Sequence, residues 1–162
     1  MKILHGNVPA NSGELKIIPS LDQCESILHF SFPGVLPHYQ VEHREKREIR
    51  QHIRNSKAFY SDATLALVER LPFRIKYDHA LIYIIQFFPD FVIRDFDNRE
   101  RKYVLDALRY ASVIGDDNWR NISVCESGEY DSGNPHTEIF ISSHQKAVEM
   151  FTYVHQFCIS PG

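Results

Sequence analysis

His79-Ala-Leu-Ile-Tyr-Ile-Ile-Gln-Phe-Phe88 is the apolar run around which the rest of the chain is read. It is rich in Ile, Tyr and Phe and is stopped by Pro89. Such a continuous run predicts a strand buried on both faces, at a central position in a sheet. Arg94-Asp95-Phe96-Asp97-Asn98 follows within a few residues. Next comes Arg99-Glu-Arg-Lys-Tyr-Val-Leu-Asp-Ala-Leu-Arg-Tyr-Ala111, and then Gly115-Asp116-Asp117-Asn118. The middle stretch predicts a helix capped by Asn98. Val104, Leu105, Leu108 and Ala111 fall on its inner face, and Lys102, Asp106 and Arg109 on a polar one. The unit is therefore a strand, an acidic loop, a helix and a second acidic loop.

On the N-terminal side, Ser26-Ile-Leu-His-Phe-Ser-Phe32 predicts a strand broken by Pro33-Gly34. The charged stretch from Gln40 to Phe59 predicts a helix. Ser61-Asp62 is positioned to cap a second helix, Ala63–Leu71, ended by Pro72. Two short apolar pieces, Lys2–Leu4 and Leu15–Ile18, flank Pro9-Ala-Asn-Ser-Gly13 and predict an N-terminal arm or hairpin over residues 1–23. On the C-terminal side, Arg120–Ser127 and Thr137–Ser142 read as the two strands of a hairpin around the turn Glu129–Pro135. Ser143 would cap a last helix, His144–Phe157, with Val148, Phe151, Val154 and His155 on one face. The expected fold is a single compact α/β (α+β) domain over residues 24–162, a mixed β-sheet flanked by helices.

The length of 162 residues suits one domain with a core large enough to need no disulfides. Cys24, Cys125 and Cys158 are far apart, odd in number and form no CxxC pair, which fits reduced thiols and a cytoplasmic setting. No apolar run approaches a membrane span, and Met1–Asn7 lacks a signal-peptide core. A formal net charge of −3 counts against a protein that coats nucleic acid by overall charge. The distribution is uneven, however. Arg44, Lys46, Arg47, Arg50, Arg54 and Lys57 stand against Glu45 and Glu48 on one predicted helix. Such a run is either a solvated face or a phosphate-binding one.

Clustered carboxylates repel one another unless a cation holds them, and a hard cation such as Mg²⁺ takes oxygen ligands. Asp95, Asp97, Asp116 and Asp117 are the candidates. Their order resembles the signature of the RusA family of Holliday-junction resolvases. That signature is Asp95-Phe-Asp97-Asn98, then Lys102, then Asp106-Ala107-Leu108, then Val113-Ile114-Gly-Asp116-Asp117. The resemblance covers the stretch from Asp95 to Asp117 directly, and the surrounding elements agree in order. The first 23 residues and the last helix look like additions. The resemblance implies a RusA-like fold in which Asp95, Asp97 and Asp117 hold Mg²⁺, with Mn²⁺ as a substitute, and Lys102 acts beside them. It departs from the family in one respect: counted from Asp97, Lys102 comes one residue late and Arg101 takes its place.

The activity so implied is metal-dependent endonucleolytic cleavage of branched DNA, the four-way junction above all, during recombination and repair. A homodimer follows, because resolution needs two symmetric nicks. Asp116 and Asn98 would orient the ligands from behind. Arg94, Arg99 and Arg101, with Arg47, Arg50 and Arg54, would meet phosphates. The rival expectation is a non-catalytic DNA-binding or regulatory protein that keeps the fold. Taken alone, Asp95-Phe-Asp97-Asn98 is also what a turn with a helix cap looks like.

Overall fold

Strand β3 (Ala80–Phe88) carries alternating faces of Ala80, Ile82, Ile84 and Leu81, Ile85, Phe87, all buried. A strand with apolar side chains on both faces needs cover on both, and helices supply it. The computed structural model describes residues 13–36, 47–93 and 101–159. Within these, the order is β1 (Glu14–Pro19), β2 (Ser26–Pro33), α1 (Arg47–Glu69), β3, α2 (Lys102–Tyr110), β4 (Ile122–Tyr130), β5 (His136–Ser143) and α3 (Ala147–Ile159). The sheet runs β1-β2-β5-β3-β4 among the described residues. Every neighbouring pair is antiparallel except β3 with β4, which is parallel. A parallel pair needs a crossover, and α2 is that crossover.

Two cores lie on opposite faces of the sheet. On one, Phe59, Tyr60, Ala63 and Leu67 of α1 and Tyr103, Val104, Ala107 and Leu108 of α2 pack on Leu28, Phe30, Ile82, Ile84, Ile139 and Ile141. On the other, Met150 and Val154 of α3 pack on Ile27, Leu81, Ile85 and Phe140. The period-two alternation along β2, β3 and β5 decides which residue joins which core. The expected α/β domain, a mixed sheet flanked by helices, is what the chain forms.

Several elements differ from the sequence expectation. Ser61 and Asp62 cap nothing, because α1 is one helix of 23 residues passing through them. No Gly or Pro interrupts Arg47–Glu69, and Ser56, Tyr60, Ala63 and Leu67 keep one buried face. β4 and β5 are not a hairpin: β3 lies between them. The interior position expected for β3 holds, but β5 is the middle strand. Of the two N-terminal apolar pieces, the second forms β1 and pairs with β2 from Glu14↔Ser31 to Pro19↔Ser26. Lys2–Leu4 lies outside the described residues. Ser143 caps no helix directly. A single 3-10 turn, His144–Lys146, leads into α3, and the Ser143 hydroxyl donates to Glu25. Val148 is exposed, and the inner face of α3 is Met150 and Val154, flanked by Tyr153 and Phe157. α3 is apolar nearly all round, so its periodicity underdetermines its inner face.

Candidate functional site

α2 ends at Tyr110 through a turn that decides where the second acidic loop goes. Ser112 sits at φ 60°, in the left-handed region. The Ser112 N–H donates to the Arg109 carbonyl at 3.0 Å and the Val113 N–H to the Leu108 carbonyl at 2.9 Å. These bonds satisfy the orphan carbonyls of the last turn. Val113 and Ile114 are then buried, and the Tyr77 N–H donates to the Val113 carbonyl at 2.9 Å. So anchored, the chain doubles back and lays Asp116 and Asp117 beside α2.

Arg109 marks the meeting point. Its Nη2 lies 3.2 Å from Asp106 Oδ1, and its Nη1 lies 3.5 Å from both Asp116 Oδ1 and Asp117 Oδ1. Three carboxylates therefore share one guanidinium. Of the two basic residues on the polar face of α2, Arg109 is the one that pairs with Asp106, and it also reaches the Asp-Asp loop. The i, i+3 spacing from Asp106 was its sequence signal. Asp116 also accepts the Asp117 N–H at 2.8 Å and the Asn118 side-chain amide at 3.0 Å. Its carboxyl is held below the usual carboxylate range, first by the Asp117 N–H and then by Asn118.

The pair meets α2 at the level of Asp106, one turn or about 6 Å of helix rise from Lys102. Lys102 opens α2, is exposed, and has no ion-pair partner among the described residues. Arg101 is committed elsewhere, its Nη1 donating to Glu126 Oε1 of β4 at 3.0 Å. That pairing separates the two candidate cations: Arg101 is tied to the sheet, and Lys102 has no such tie among the described residues.

Arg94, Asp95, Asp97, Asn98 and Arg99 lie outside the described residues. Of the expected metal ligands, Asp117 is thus the described member, with Asp116 next to it. No cluster of three metal-ligating side chains occurs among the described residues.

On α1, Arg47, Arg50, Arg54 and Lys57 are all exposed, at spacings of three and four that place them on one stripe. The stripe runs toward a pocket of about 370 Å³ between α1 and α2. Lys57, Ser61, Tyr103, Asp106, Arg109 and Tyr110 line it. The depression therefore has α1 and α2 as its walls, and Arg109 on the α2 wall reaches the acidic loop. Trp119 is 80% exposed beside the acidic loop, with the Arg120 guanidinium 5.2 Å from its ring centre.

A buried polar network that the sequence did not announce lies on the α3 face. Glu138 is buried in β5 and accepts from the Ser31 hydroxyl. One of its carboxylate oxygens lies 2.7 Å from His29 Nε2, and the other 3.4 Å from His136 Nε2. His29 Nδ1 is 2.9 Å from the Tyr153 hydroxyl. The network satisfies a buried carboxylate and joins β2, β5 and α3. All three cysteines are free thiols.

No family model matches the chain, and no curated protein matches it. Among solved structures, a Salmonella typhimurium protein proposed to be a translation initiation inhibitor is similar at 12% identity and a TM-score of 0.28. The match covers 80% of this chain and 96% of that one. A likeness that low carries no argument about fold or function. None of the helices among the described residues is long and apolar enough to cross a membrane.

Proposed function

We propose that the chain is a Mg²⁺-dependent, structure-selective endodeoxyribonuclease of the RusA kind, acting on branched DNA as a homodimer. One observation carries the reading. Asp116 and Asp117 share the Arg109 guanidinium with Asp106, and Asp106 and Arg109 line a pocket whose α1 wall carries Lys57, the last residue of the basic stripe. Repelling carboxylates beside a phosphate-attracting face serve no purpose in simple binding, because they would push the backbone away. They do serve metal-assisted phosphodiester hydrolysis.

The donor set fits a hard cation. Asp117 and Asp116 offer partly exposed carboxylates, 32% and 50%, that already share a positive charge. Asp95, Asp97 and Asp117 would hold Mg²⁺ or Mn²⁺, with Asp116 and Asn98 orienting them. When bound, the metal polarises the scissile phosphate and lowers the pKa of a coordinated water. The side chains do the remainder. Lys102 offsets the charge that develops on the phosphoryl and leaving oxygens. Arg47, Arg50 and Arg54 seat one duplex arm by its backbone, and Arg94 and Arg99 meet phosphates next to the cut. Arg101 supports α2 through Glu126. A bound cation would share the neutralising role that Arg109 has toward Asp116 and Asp117.

Arg109 also favours one rival. A guanidinium that neutralises the acidic loop would suit a non-catalytic DNA-binding protein that has kept the fold. Asp97→Asn and Asp117→Asn separate the two readings. In a nuclease each variant loses Mg²⁺-dependent cleavage of a four-way junction, while junction binding is retained or tightened. In a binding protein neither the wild type nor a variant cleaves.

A further inference from the structure

β2 and β5 turn a row of polar side chains toward the α3 face, opposite to the face that α1 and α2 cover. Residues paired across antiparallel strands share a face. The register aligns Glu14 of β1 with Ser31 of β2, and Ser31 with Glu138 of β5. Their chain neighbours Phe30 and Ile139 belong to the other core. The row helps to line a pocket of about 410 Å³, together with Lys16, Asp131 and His136. Pro33 of β2 and Phe157 of α3 give the pocket an apolar side. The proposed cleavage chemistry uses none of these residues.

The buried member of the row is Glu138, 5% exposed. Its Oε2 is well supplied: the Ser31 hydroxyl donates to it, and His29 Nε2 lies 2.7 Å away. Its Oε1 is not. His136 Nε2 stands 3.4 Å from it, longer than an ordinary N–H···O bond. The other ring nitrogen, His136 Nδ1, lies 2.5 Å from the Asn134 carbonyl oxygen. A carbonyl only accepts, so in the neutral ring the single N–H belongs to Nδ1. Nε2 then turns a lone pair toward Oε1 and gives it no hydrogen bond. A buried carboxylate oxygen without a donor is costly, and a ligand that donates to it recovers that cost. Glu14 and Asp131 add two more carboxylates, against Lys16. The pocket therefore favours a cation. No group of three metal-ligating side chains occurs among the described residues, and one side of the pocket is apolar, so an organic cation is the one that fits.

We infer that this pocket binds an aliphatic di- or polyamine. One ammonium donates to Glu138 Oε1 in a charge-assisted hydrogen bond. The methylene chain lies along Phe157 and Pro33. A second ammonium is held at the rim by Glu14 and Asp131. Glu14 is two strands from Glu138, about 10 Å along the sheet, so a single ammonium cannot serve both. Asp131 is already fixed in place, its Oδ1 accepting the Gly133 and Asn134 N–H groups, both at 3.1 Å. A quaternary ammonium has no N–H to offer Oε1 and would not replace the missing bond. The inference does not rest on the nuclease reading, since α2 and its acidic cluster pack on the other face of the sheet.

Calorimetric titration of the full chain with putrescine and with spermidine tests this, with choline as the control and residue-resolved NMR on the same samples. The expected result is binding of both amines, none of choline, and shifts at Ser31, His136 and Glu138. Glu138→Gln should weaken binding about tenfold, as loss of a charged hydrogen bond does. Glu14→Lys, at an exposed position, should weaken it by a similar factor and keeps the test open where the buried substitution does not fold. Asp117→Asn should leave the affinity unchanged, because the acidic loop takes no part. Failure of both amines to bind overturns the inference. So does choline binding as tightly as the amines, or an affinity that Glu14→Lys leaves unmoved while Asp117→Asn lowers it.

Discussion

At Arg109 one guanidinium lies within 3.5 Å of Asp106, Asp116 and Asp117. Exposed pairs of this kind each contribute little, but three acids left without their cation repel one another. Arg109→Gln should therefore lower Tm by about 2–4 °C at low salt, and Mg²⁺ should restore the loss; a melt that Mg²⁺ leaves unmoved would disconnect the cluster from cation binding. Ser112 takes a left-handed conformation that costs a non-glycine residue about 1 kcal/mol. Ser112→Gly should raise stability by about that amount in urea titration, without displacing the loop that holds Asp116 and Asp117. At this scale the sequence was legible where spacing is local. The shared polar face of Lys102, Asp106 and Arg109, and the inward Val104 and Leu108, follow from helical period alone. Trp119 did not follow, because its exposure depends on a loop turning outward. Glu138 did not follow either, because its partners His29 and Ser31 come from another strand more than a hundred residues away.

Among the elements, α1 shows how a capping signal can be overridden. Ser61-Asp62 has the chemistry of an N-cap, but the apolar face of the helix continues through it and packing decides. Ser61→Pro tests this. Inside a continuous helix it should cost about 3 kcal/mol or more, and at a helix start almost nothing. The strand order was the harder inference. Strands adjacent in sequence usually pair, which is why β4 and β5 read as a hairpin. β3 comes between them because parallel β3–β4 pairing follows from the α2 crossover, and β5 then takes the free side of β3. The basic stripe of α1 carries its own prediction. Replacing Arg47, Arg50 and Arg54 together by Gln should flatten the salt dependence of junction affinity by about three units of log–log slope. An unchanged slope would take this face out of the DNA interface.

For the whole molecule, two carboxylates set the acid limb of stability. Asp22 is held well below the ordinary aspartate range by Lys146 first and then by Ser20, and Asp116 is lowered chiefly by the Asp117 N–H. Folding lowers both pKa values, so their contribution is fully present above about pH 4 and is lost as pH falls through the folded values. Lys146 is raised by Asp22, so its contribution holds below about pH 10 and fades as pH rises through its folded value. Urea midpoints should form a plateau between those limits and fall on the acid side, and Asp22→Asn should make the acid fall shallower. The layout of a mixed sheet between helices was readable from the two-faced apolar run of β3 and the helical periods on either side. What the sequence alone did not place was the depression between α1 and α2 that brings Lys57 opposite Asp106 and Arg109, since it depends on how two helices pack.

The central claim is that this depression, together with the Asp95–Asp97 loop, cuts branched DNA. A synthetic four-way junction, with a linear duplex as control, should be incubated in Mg²⁺ and in EDTA with wild type and Asp117→Asn. The account predicts paired, symmetric nicks in the junction alone, present with Mg²⁺ and wild type and absent with EDTA or the variant. Intact junctions under every condition, or equal cleavage by wild type and Asp117→Asn, would contradict it.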